Sequence, residues 1–317
     1  MTVLDESAII KNLQKKLGNK KFVSEDVESF KVGKTKIIVK IDTFVEGTDM
    51  PTKMKISDAA RKSIVACVSD FAAKGVRPQY GIISLNLPKT ISCSKINEIS
   101  NGFSNASKEF KFKILGGDTN EGKEIVFTVS LFGTTDKIVK RSGAKIGDII
   151  FVTGPFGYTA SGLEILLRKK KGKKTFVKKA ISSVFRPNPR LDFGVNNKKY
   201  FTSTMDSSDG LSTTLNEMAS QSNCKFIINN IPTGKDLSEF AKSNKMEPNK
   251  LVFHGGEEYE FVFTASKKYK AIIEKNATSL KTPIIEIGYV AKGKGVFVQK
   301  GEKFSSLKDL GWHHFTK

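Results

Sequence analysis

Several aspartates stand at unusual places in this sequence, inside or at the ends of apolar segments. Asp42 lies within a β-branched run, and Asp70 lies beside the apolar stripe of a predicted helix. Asp118 follows two glycines, while Asp206 and Asp209 flank a pair of serines. A buried carboxylate without a partner is costly, so we expect each of these side chains to face a cation. Carboxylate oxygens are the ligands that Mg²⁺ prefers, usually together with substrate phosphates and water, so the acids predict a magnesium site.

Asp209 also has a structural interpretation. It stands before a glycine and a predicted helix, where an aspartate is typical of a helix N-cap. For one aspartate alone the two interpretations are equally good. For four or five aspartates repeated at the ends of apolar elements, ion binding is the better one.

Two glycines beside one of these acids suit a phosphate ligand. In the step Gly116-Gly117-Asp118 the backbone can approach a phosphate closely while the carboxylate holds a metal ion. The sequence has neither a P-loop pattern nor a dinucleotide-binding glycine pattern in its required context, so it supports neither of those folds. Cysteine and histidine form no plausible zinc set, and we interpret His313 and His314 as a surface pair.

The net charge is the most unusual bulk property. The 317 residues include 53 Lys and Arg against 32 Asp and Glu, a net charge of +21 that attracts nucleic acid, nucleotide phosphates or anionic membranes. The densest basic run, 168–179, is interpreted as an RNA-binding tract, a lid over phosphates or a solvated loop and helix face. Charge runs are usually solvated faces. No aromatic-rich RNA motif accompanies the run, which disfavours nucleic acid as a partner.

Three signals predict a cytoplasmic protein without a membrane span. No apolar run reaches the roughly 18 residues that cross a bilayer. The N-terminal segment lacks the apolar core of a secretory signal. The three cysteines are odd in number and widely spaced, which disfavours a disulfide framework.

Hydrophobic periodicity predicts a chain with two domains. The predicted strands are 34–45, 80–87, 113–115, 124–133, 149–153, 202–205, 225–229 and 260–264. The predicted helices are 59–74, with an N-cap at Ser57-Asp58 and Gly75 after its end, and 159–167, 191–196, 212–220 and one within 93–110. The polar segment 141–148 predicts a boundary, which gives a mixed α/β domain over 1–140 and an α+β domain over 141–317.

A series of short motifs runs in order over nearly the whole chain. The motifs are 42–47 (DTFVEG), 68–78 (VSDFAAKGVRP), 116–119 (GGDT), 141–144 (RSGA), 152–154 (VTG), 186–190 (RPNPR), 206–211 (DSSDGL), 255–260 (GGEEYE), 287–288 (IG) and 311–315 (GWHHF). Each is weak alone, but the series resembles the thiamine-monophosphate kinase family, in the superfamily of aminoimidazole ribonucleotide synthetase and selenophosphate synthetase.

The resemblance implies a fold and an activity. The fold is α/β (α+β), of the two-domain aminoimidazole ribonucleotide synthetase type, and the sheet of the N-terminal domain associates across a homodimer. ATP and Mg²⁺ bind to the N-terminal domain, and the C-terminal domain completes the active site. The implied activity is direct transfer of the γ-phosphoryl of ATP to thiamine monophosphate, which gives thiamine diphosphate and ADP.

The resemblance also implies roles by motif position. The implied Mg²⁺ ligands are Asp26, Asp42, Asp70, Asp118, Asp206 and Asp209, of which Asp42, Asp70 and Asp118 are assigned to catalysis. The implied ATP contacts are Gly117, Asp118, Arg141 and Ser208. The implied thiamine contacts are Asp49, Glu257 and Trp312, where Trp312 either stacks on a cationic ring or closes a core.

The chain departs from the family pattern at three places. Asp26 lies between Glu25 and a valine, where the family usually shows two acids followed by small apolar residues. Lys40 and Ile41 precede the motif aspartate where many members have hydroxyl residues. Asp49 replaces a histidine that is common in other members.

The implied chemistry explains why several acids are needed. Two unit charges 4 Å apart repel by about 4 kcal/mol at an effective dielectric constant of 20. Two phosphate reactants therefore need divalent cations between them. The acceptor phosphate is already ionised, since its second pKa lies near 6, and no general base is required.

Two alternatives stay open at this point. One is another ATP-dependent enzyme of the superfamily, above all an aminoimidazole ribonucleotide synthetase-like enzyme. Selenophosphate synthetase is disfavoured because the first cysteine, Cys67, lies within a predicted helix. The other alternative is a basic nucleic-acid-binding protein that kept the fold and lost the activity.

Overall fold

The computed structural model describes residues 6–19 and 22–312, so the predicted pair His313 and His314 lies outside the described residues. Within them the first half of the chain forms nine elements. They are α1 (Glu6–Lys16), β1 (Glu28–Val32), β2 (Thr35–Val45), α2 (Glu46–Asp49), α3 (Ile56–Ala73), β3 (Pro78–Pro88), α4 (Cys93–Phe110), β4 (Lys113–Gly122) and β5 (Val126–Thr134).

The second half of the chain adds seven strands and seven α-helices within the described residues. They are β6 (Ile149–Val152), α5 (Tyr158–Arg168), α6 (Lys174–Phe185), α7 (Leu191–Asn197), β7 (Phe201–Asp206), α8 (Leu211–Gln221), β8 (Lys225–Ile228), α9 (Lys235–Ser243), α10 (Pro248–His254), β9 (Phe261–Ala265), α11 (Lys270–Ser279), β10 (Ile285–Ala291), β11 (Gly295–Lys300) and β12 (Lys303–Ser306). No helix in the described part of the chain is long and apolar enough to span a membrane.

Two sheets divide the chain. The first has five strands in the order β1-β2-β5-β3-β4, all antiparallel except the pair β3 and β4. The second has seven strands in the order β12-β11-β8-β10-β6-β9-β7, where β8 and β11 are parallel. The sheets fall on either side of the segment 135–148. The exact domain limits, 1–140 and 141–317, stay a prediction.

Helix α3 is the element that joins the two sheets. It packs on β2 and β5 of the first sheet and on β7 and β9 of the second. Nearly every residue along it is buried, including the polar Lys62, Ser69 and Asp70. The packing against α7 is close enough that a β-carbon at Gly194 would overlap the Ala72 carbonyl oxygen. A helix buried on all sides is a core element, so its polar side chains must find partners in the protein.

Two local predictions about these elements are wrong. Ser57-Asp58 does not cap α3, because the helix begins at Ile56 and its N-cap residue is Lys55. The strand predicted at 113–115 continues as β4 through the glycines to Gly122, because residues 113–122 pair in parallel with β3. Gly117 fits this pairing, since a β-carbon there would overlap the Ile83 carbonyl oxygen. Gly75 ends α3 in the left-handed conformation, as predicted.

The outer face of the five-stranded sheet is apolar and exposed. Strand alternation puts Ile38 and Phe44 of β2 on the buried face, and therefore Ile41 on the other. Ile41 lies in one lateral row with Ile82, and Phe30 and Tyr80 extend the same face. These four side chains are between 41% and 61% exposed.

Candidate active site

Three buried aspartates meet where α3 contacts the second sheet. Asp26 comes from the segment before β1, Asp70 from α3 and Asp206 from the end of β7. One carboxylate oxygen from each lies within 4.8 Å of the others. All three side chains are almost fully buried. We call this group the acid cluster; three anions at this spacing repel strongly unless cations or protons compensate them.

Two basic side chains compensate Asp26. The Arg141 Nε donates to its Oδ1 at 2.5 Å, and the Lys74 Nζ lies 3.0 Å from its Oδ2. Lys74 also lies 2.8 Å from a Glu25 oxygen and donates to the Thr204 carbonyl. Burial raises the pKa of Asp26, but Lys74 and Arg141 outweigh it and hold that pKa below its usual value. Asp26 is therefore an anion at neutral pH.

Asp70 and Asp206 are less well compensated. The Lys40 Nζ lies 2.8 Å from Asp70, and the Ser69 hydroxyl donates to Asp206 at 3.0 Å. Burial raises the pKa of Asp70 well above its usual value despite Lys40. Burial, reinforced by the neighbouring Asp26, raises the pKa of Asp206 to about 7. Without a further cation, the cluster therefore holds protons that a metal ion would displace.

The donor set of the acid cluster fits a hard divalent cation. It consists of carboxylate oxygens, the ligands of Mg²⁺, and contains no sulfur or imidazole. The Asp26 Oδ2 accepts no hydrogen bond of good geometry, although Lys74 lies beside it. The neighbouring Ser207 hydroxyl is also buried and has no hydrogen-bond partner among the described residues. Unsatisfied buried oxygens are the exception in proteins, and a bound cation with its waters would satisfy them.

The other predicted metal ligands lie outside this group of three. Asp42 is partly exposed; its carboxylate lies 3.7 Å from the Lys40 Nζ and accepts from the Thr43 amide. Asp118 is exposed on β4, an edge strand. Its expected burial is therefore wrong.

The capping interpretation of Asp209 is also wrong. The N-cap residue of α8 is Gly210 and not Asp209. The Asp209 carbonyl instead accepts from the Trp312 amide at 2.8 Å.

The predicted ATP contacts are divided between two places. Arg141 stands at the acid cluster, where its Nη1 also donates to the Ser24 hydroxyl. Ser208 lies two residues after Asp206, and its carbonyl accepts a hydrogen bond from the Glu257 amide at 2.5 Å. Gly117 lies with Asp118 on the exposed edge strand β4. The structure brings Arg141 to the acid cluster and leaves Gly117 outside it.

A buried lysine links two of the predicted thiamine contacts. The Lys62 Nζ lies 2.5 Å from a Glu257 carboxylate oxygen and donates to the Asp49 carbonyl at 3.2 Å. The carboxylate of Asp49, the last residue of the short helix α2, accepts a hydrogen bond from the amide of Val45, which directly precedes that helix. Trp312 is 60% exposed, so the interpretation that it closes a core is wrong.

Sequence reasoning missed the buried lysines. Lys62 and Lys74 are at most 1% exposed, and both belong to or directly follow α3. The available signal was their position, because both fall in a mainly apolar or small stretch, 59–75, whose other charged residues are Arg61 and Asp70. A lysine inside such a stretch, in a chain with surplus acids in apolar elements, indicates an internal ion pair.

Comparison with known proteins decides the family. Residues 24–135 match the family described as AIR synthase related protein, N-terminal domain. Over 99% of its length the chain is 66% identical to a thiamine-monophosphate kinase from Nitrosopumilus maritimus, all of which is covered. The chain belongs to the thiamine-monophosphate kinase family. This confirms the predicted family.

Other members of the thiamine-monophosphate kinase family agree. A relative from Pyrococcus abyssi is 33% identical, with 93% of this chain and 91% of the relative covered. The solved structure described as AaThiL complexed with AMPPCP and TMP has 30% identity and a TM-score of 0.86, covering 99% of this chain and 98% of the other. The predicted fold class, α/β (α+β) of the aminoimidazole ribonucleotide synthetase type, is therefore confirmed.

Proposed function

We propose that this chain transfers the γ-phosphoryl of ATP directly to thiamine monophosphate, giving thiamine diphosphate and ADP. The observation that carries the proposal is the buried acid cluster of Asp26, Asp70 and Asp206, in a chain 66% identical to a thiamine-monophosphate kinase. The reaction belongs to the biosynthesis of thiamine diphosphate. The aminoimidazole ribonucleotide synthetase-like alternative is less well supported, since the full-length relatives are thiamine-monophosphate kinases.

We assign Mg²⁺ to the acid cluster. Asp26, Asp70 and Asp206 would hold it, and we propose that Asp42, Asp118 and Asp209 supply further ligands. Bound Mg²⁺ would neutralise the phosphates of both substrates and orient the acceptor oxygen for in-line attack. The side chains that surround the cluster fix the carboxylates in place before any substrate arrives, which lowers the cost of ordering them.

Arg141 is proposed to contact the ATP phosphates. Its ion pair with Asp26 and its hydrogen bond to Ser24 fix the guanidinium at the edge of the cluster. A guanidinium presents several N–H donors in a plane, so an arginine can hold a neighbouring carboxylate and a phosphate together. Ser208 and Gly117 are proposed as the remaining ATP contacts.

Three residues are proposed to bind the cationic thiamine portion of the acceptor. The carboxylates of Asp49 and Glu257 carry the charge opposite to that of the thiazolium ring, and Lys62 fixes the position of Glu257. The exposed Trp312 offers a ring face to a cation. A cation–π contact of this kind contributes about 0.5–2 kcal/mol.

We propose that two chains associate through the outer face of the five-stranded sheet. Ile41, Ile82, Phe30 and Tyr80 leave this face apolar and exposed, and pairing of two such faces would bury it. We also place the protein in the cytoplasm, where the three free cysteines stay reduced. Sedimentation analysis of the purified chain tests the dimer, and a monomer at micromolar concentration contradicts it.

The function is tested by incubation with Mg²⁺ and ATP against a panel of phosphorylated acceptors. ADP release and product mass are measured for thiamine monophosphate, aminoimidazole ribonucleotide precursors and nucleoside monophosphates. Of these acceptors we expect only thiamine monophosphate to react, giving ADP and thiamine diphosphate in equal amounts. ADP formation with another acceptor, and none with thiamine monophosphate, would contradict the proposal.

A further inference from the structure

Lys40 stands between Asp70, a member of the acid cluster, and Asp42, which lies outside it. It projects from the buried face of β2, where its Nζ lies 2.8 Å from an Asp70 oxygen and 3.7 Å from an Asp42 oxygen. Its side chain is 24% exposed, and the Asp70 side chain is only 6% exposed. Lys40 is the only basic side chain in the described part of the chain that forms an ion pair with Asp70.

The charges around the cluster show what this ammonium changes. Six carboxylates are grouped here, those of Glu25, Asp26, Asp42, Asp70, Asp206 and Glu217. They face three basic side chains, which are Lys40, Lys74 and Arg141. With all six carboxylates ionised the excess is three negative charges, which attracts divalent cations. Without Lys40 the excess would be four, which favours the binding of a further divalent ion.

The position of the ammonium also excludes a metal ion from the same place. Mg²⁺ binds oxygen at about 2.0–2.1 Å, so an ion between Asp42 and Asp70 would stand within a few ångströms of the Lys40 Nζ. The two cations would then repel each other in a partly buried place, where screening by water is weak. One cation therefore occupies the space between Asp42 and Asp70.

We propose that the Lys40 ammonium is a tethered counter-ion that replaces one divalent cation between Asp42 and Asp70. It compensates one of their two negative charges in the loaded enzyme as in the free one, and it keeps divalent ions out of the space between them, so that Asp42 would contact Mg²⁺ only on the side that faces away from Lys40. Lys40 is thus a positioning residue. The inference rests on the proposed magnesium site and does not depend on the identity of the phosphate acceptor.

The test counts bound metal ions in wild-type and Lys40→Met protein. Mn²⁺ replaces Mg²⁺, a non-hydrolysable ATP analogue is present in excess, and free Mn²⁺ is measured by electron paramagnetic resonance beside a protein-free control. We expect Lys40→Met to bind one more Mn²⁺ ion per chain than the wild type. Lys40→Arg keeps the positive charge and should bind the wild-type number. Lys36→Met is the matched control, because Lys36 lies four residues earlier on β2 and forms no ion pair among the described residues.

A second readout follows thermal unfolding with EDTA and with Mn²⁺. The midpoint of Lys40→Met should rise more on adding Mn²⁺ than that of the wild type, because the added ion takes over the balance of Asp42 and Asp70. This comparison also shows that the variant is folded. Equal Mn²⁺ numbers in wild type and Lys40→Met would overturn the tethered counter-ion alone. No Mn²⁺ bound by any variant would overturn the magnesium site itself.

Discussion

Basic side chains do different things in two regions of this molecule. Around α3, Lys62 and Lys74 are buried, and each is in contact with carboxylates and with a backbone carbonyl. In the basic run 168–179 the basic side chains are exposed except for the partly exposed Lys170, and pairs such as Lys173 with Glu239 lie at the surface. A buried charge that loses its partner costs several kcal/mol, whereas an exposed pair contributes little. The net charge of +21 therefore says less about function than two buried lysines do.

The largest expected effect is on turnover. Asp70→Asn removes one charge from the acid cluster while keeping the shape of the side chain, and we expect a loss of at least about 10³-fold in kcat. ADP release with thiamine monophosphate measures it, and circular dichroism checks the fold. Asp118→Asn is the informative companion, since Asp118 is exposed on β4 and needs no burial to act. Unchanged turnover in Asp70→Asn would contradict the metal assignment.

The next effect is on stability and compares the two regions directly. Lys74→Met leaves Glu25 and the buried Asp26 without their shared lysine, and we expect the free energy of unfolding to fall by about 3–5 kcal/mol. Lys173→Met removes an exposed partner of Glu239 and should leave the free energy of unfolding unchanged. Urea denaturation of both variants measures the contrast. Similar losses in the two would show that burial does not separate these lysines.

A smaller effect concerns pH. The pKa of Asp206 is about 7 in the folded protein against an ordinary value of 3.8, so between these values the native state binds more protons than the unfolded state. The free energy of unfolding in EDTA should therefore fall as pH rises from about 4 to about 7. Asp206→Asn should reduce this fall without removing it, because burial also raises the pKa of Asp70 and of Glu258. Added Mg²⁺ should weaken the fall because the ion favours the ionised carboxylates. Denaturation across this pH range tests it, and a rise in stability with pH would contradict the assignment.

The smallest effect is expected in the basic run. Replacing Lys169, Lys170 and Lys171 with glutamine should change neither kcat nor KM, because these side chains are at least partly exposed and none of them forms an ion pair with the acid cluster in the described part of the chain. A rise in the KM for ATP would instead support a lid over phosphates. Retention on RNA that depends on salt, and that persists in Asp42→Asn, would revive the nucleic-acid interpretation.

The sequence predicted the acids better than their surroundings. Asp70 and Asp206 were identifiable because a carboxylate in an apolar element is unusual, and that signal is local. Their closeness to Asp26 depends on how α3 meets β7, and Lys74 could be placed with them only once that packing was known. The local pattern of residues does not show which distant segments of the chain pack together.

The limits of strands and helices were predicted correctly where hydrophobic periodicity was strong. They were missed where pairing with a neighbouring strand determines the conformation. The limits of β2 and α7 were predicted to within one residue. The strand β4 was predicted too short, because its glycines read as a turn and only pairing with β3 keeps them extended. The strands β10, β11 and β12 were not predicted, since short half-exposed strands carry little periodicity of their own. Metal, ATP and thiamine roles for individual residues remain predictions.

The close approach of α7 to α3 limits how the enzyme can move. With Gly194 lying directly over the Ala72 carbonyl, the two helices have no room to slide, and Thr204 donates to the neighbouring Ala73 carbonyl. The two sheets are therefore held in a fixed relative position beside Asp70, and no hinge lies where α3 contacts α7. Rearrangement on substrate binding is therefore expected in partly exposed segments such as α2. The two sheets should consequently keep their relative position when substrates bind, and only peripheral segments should move.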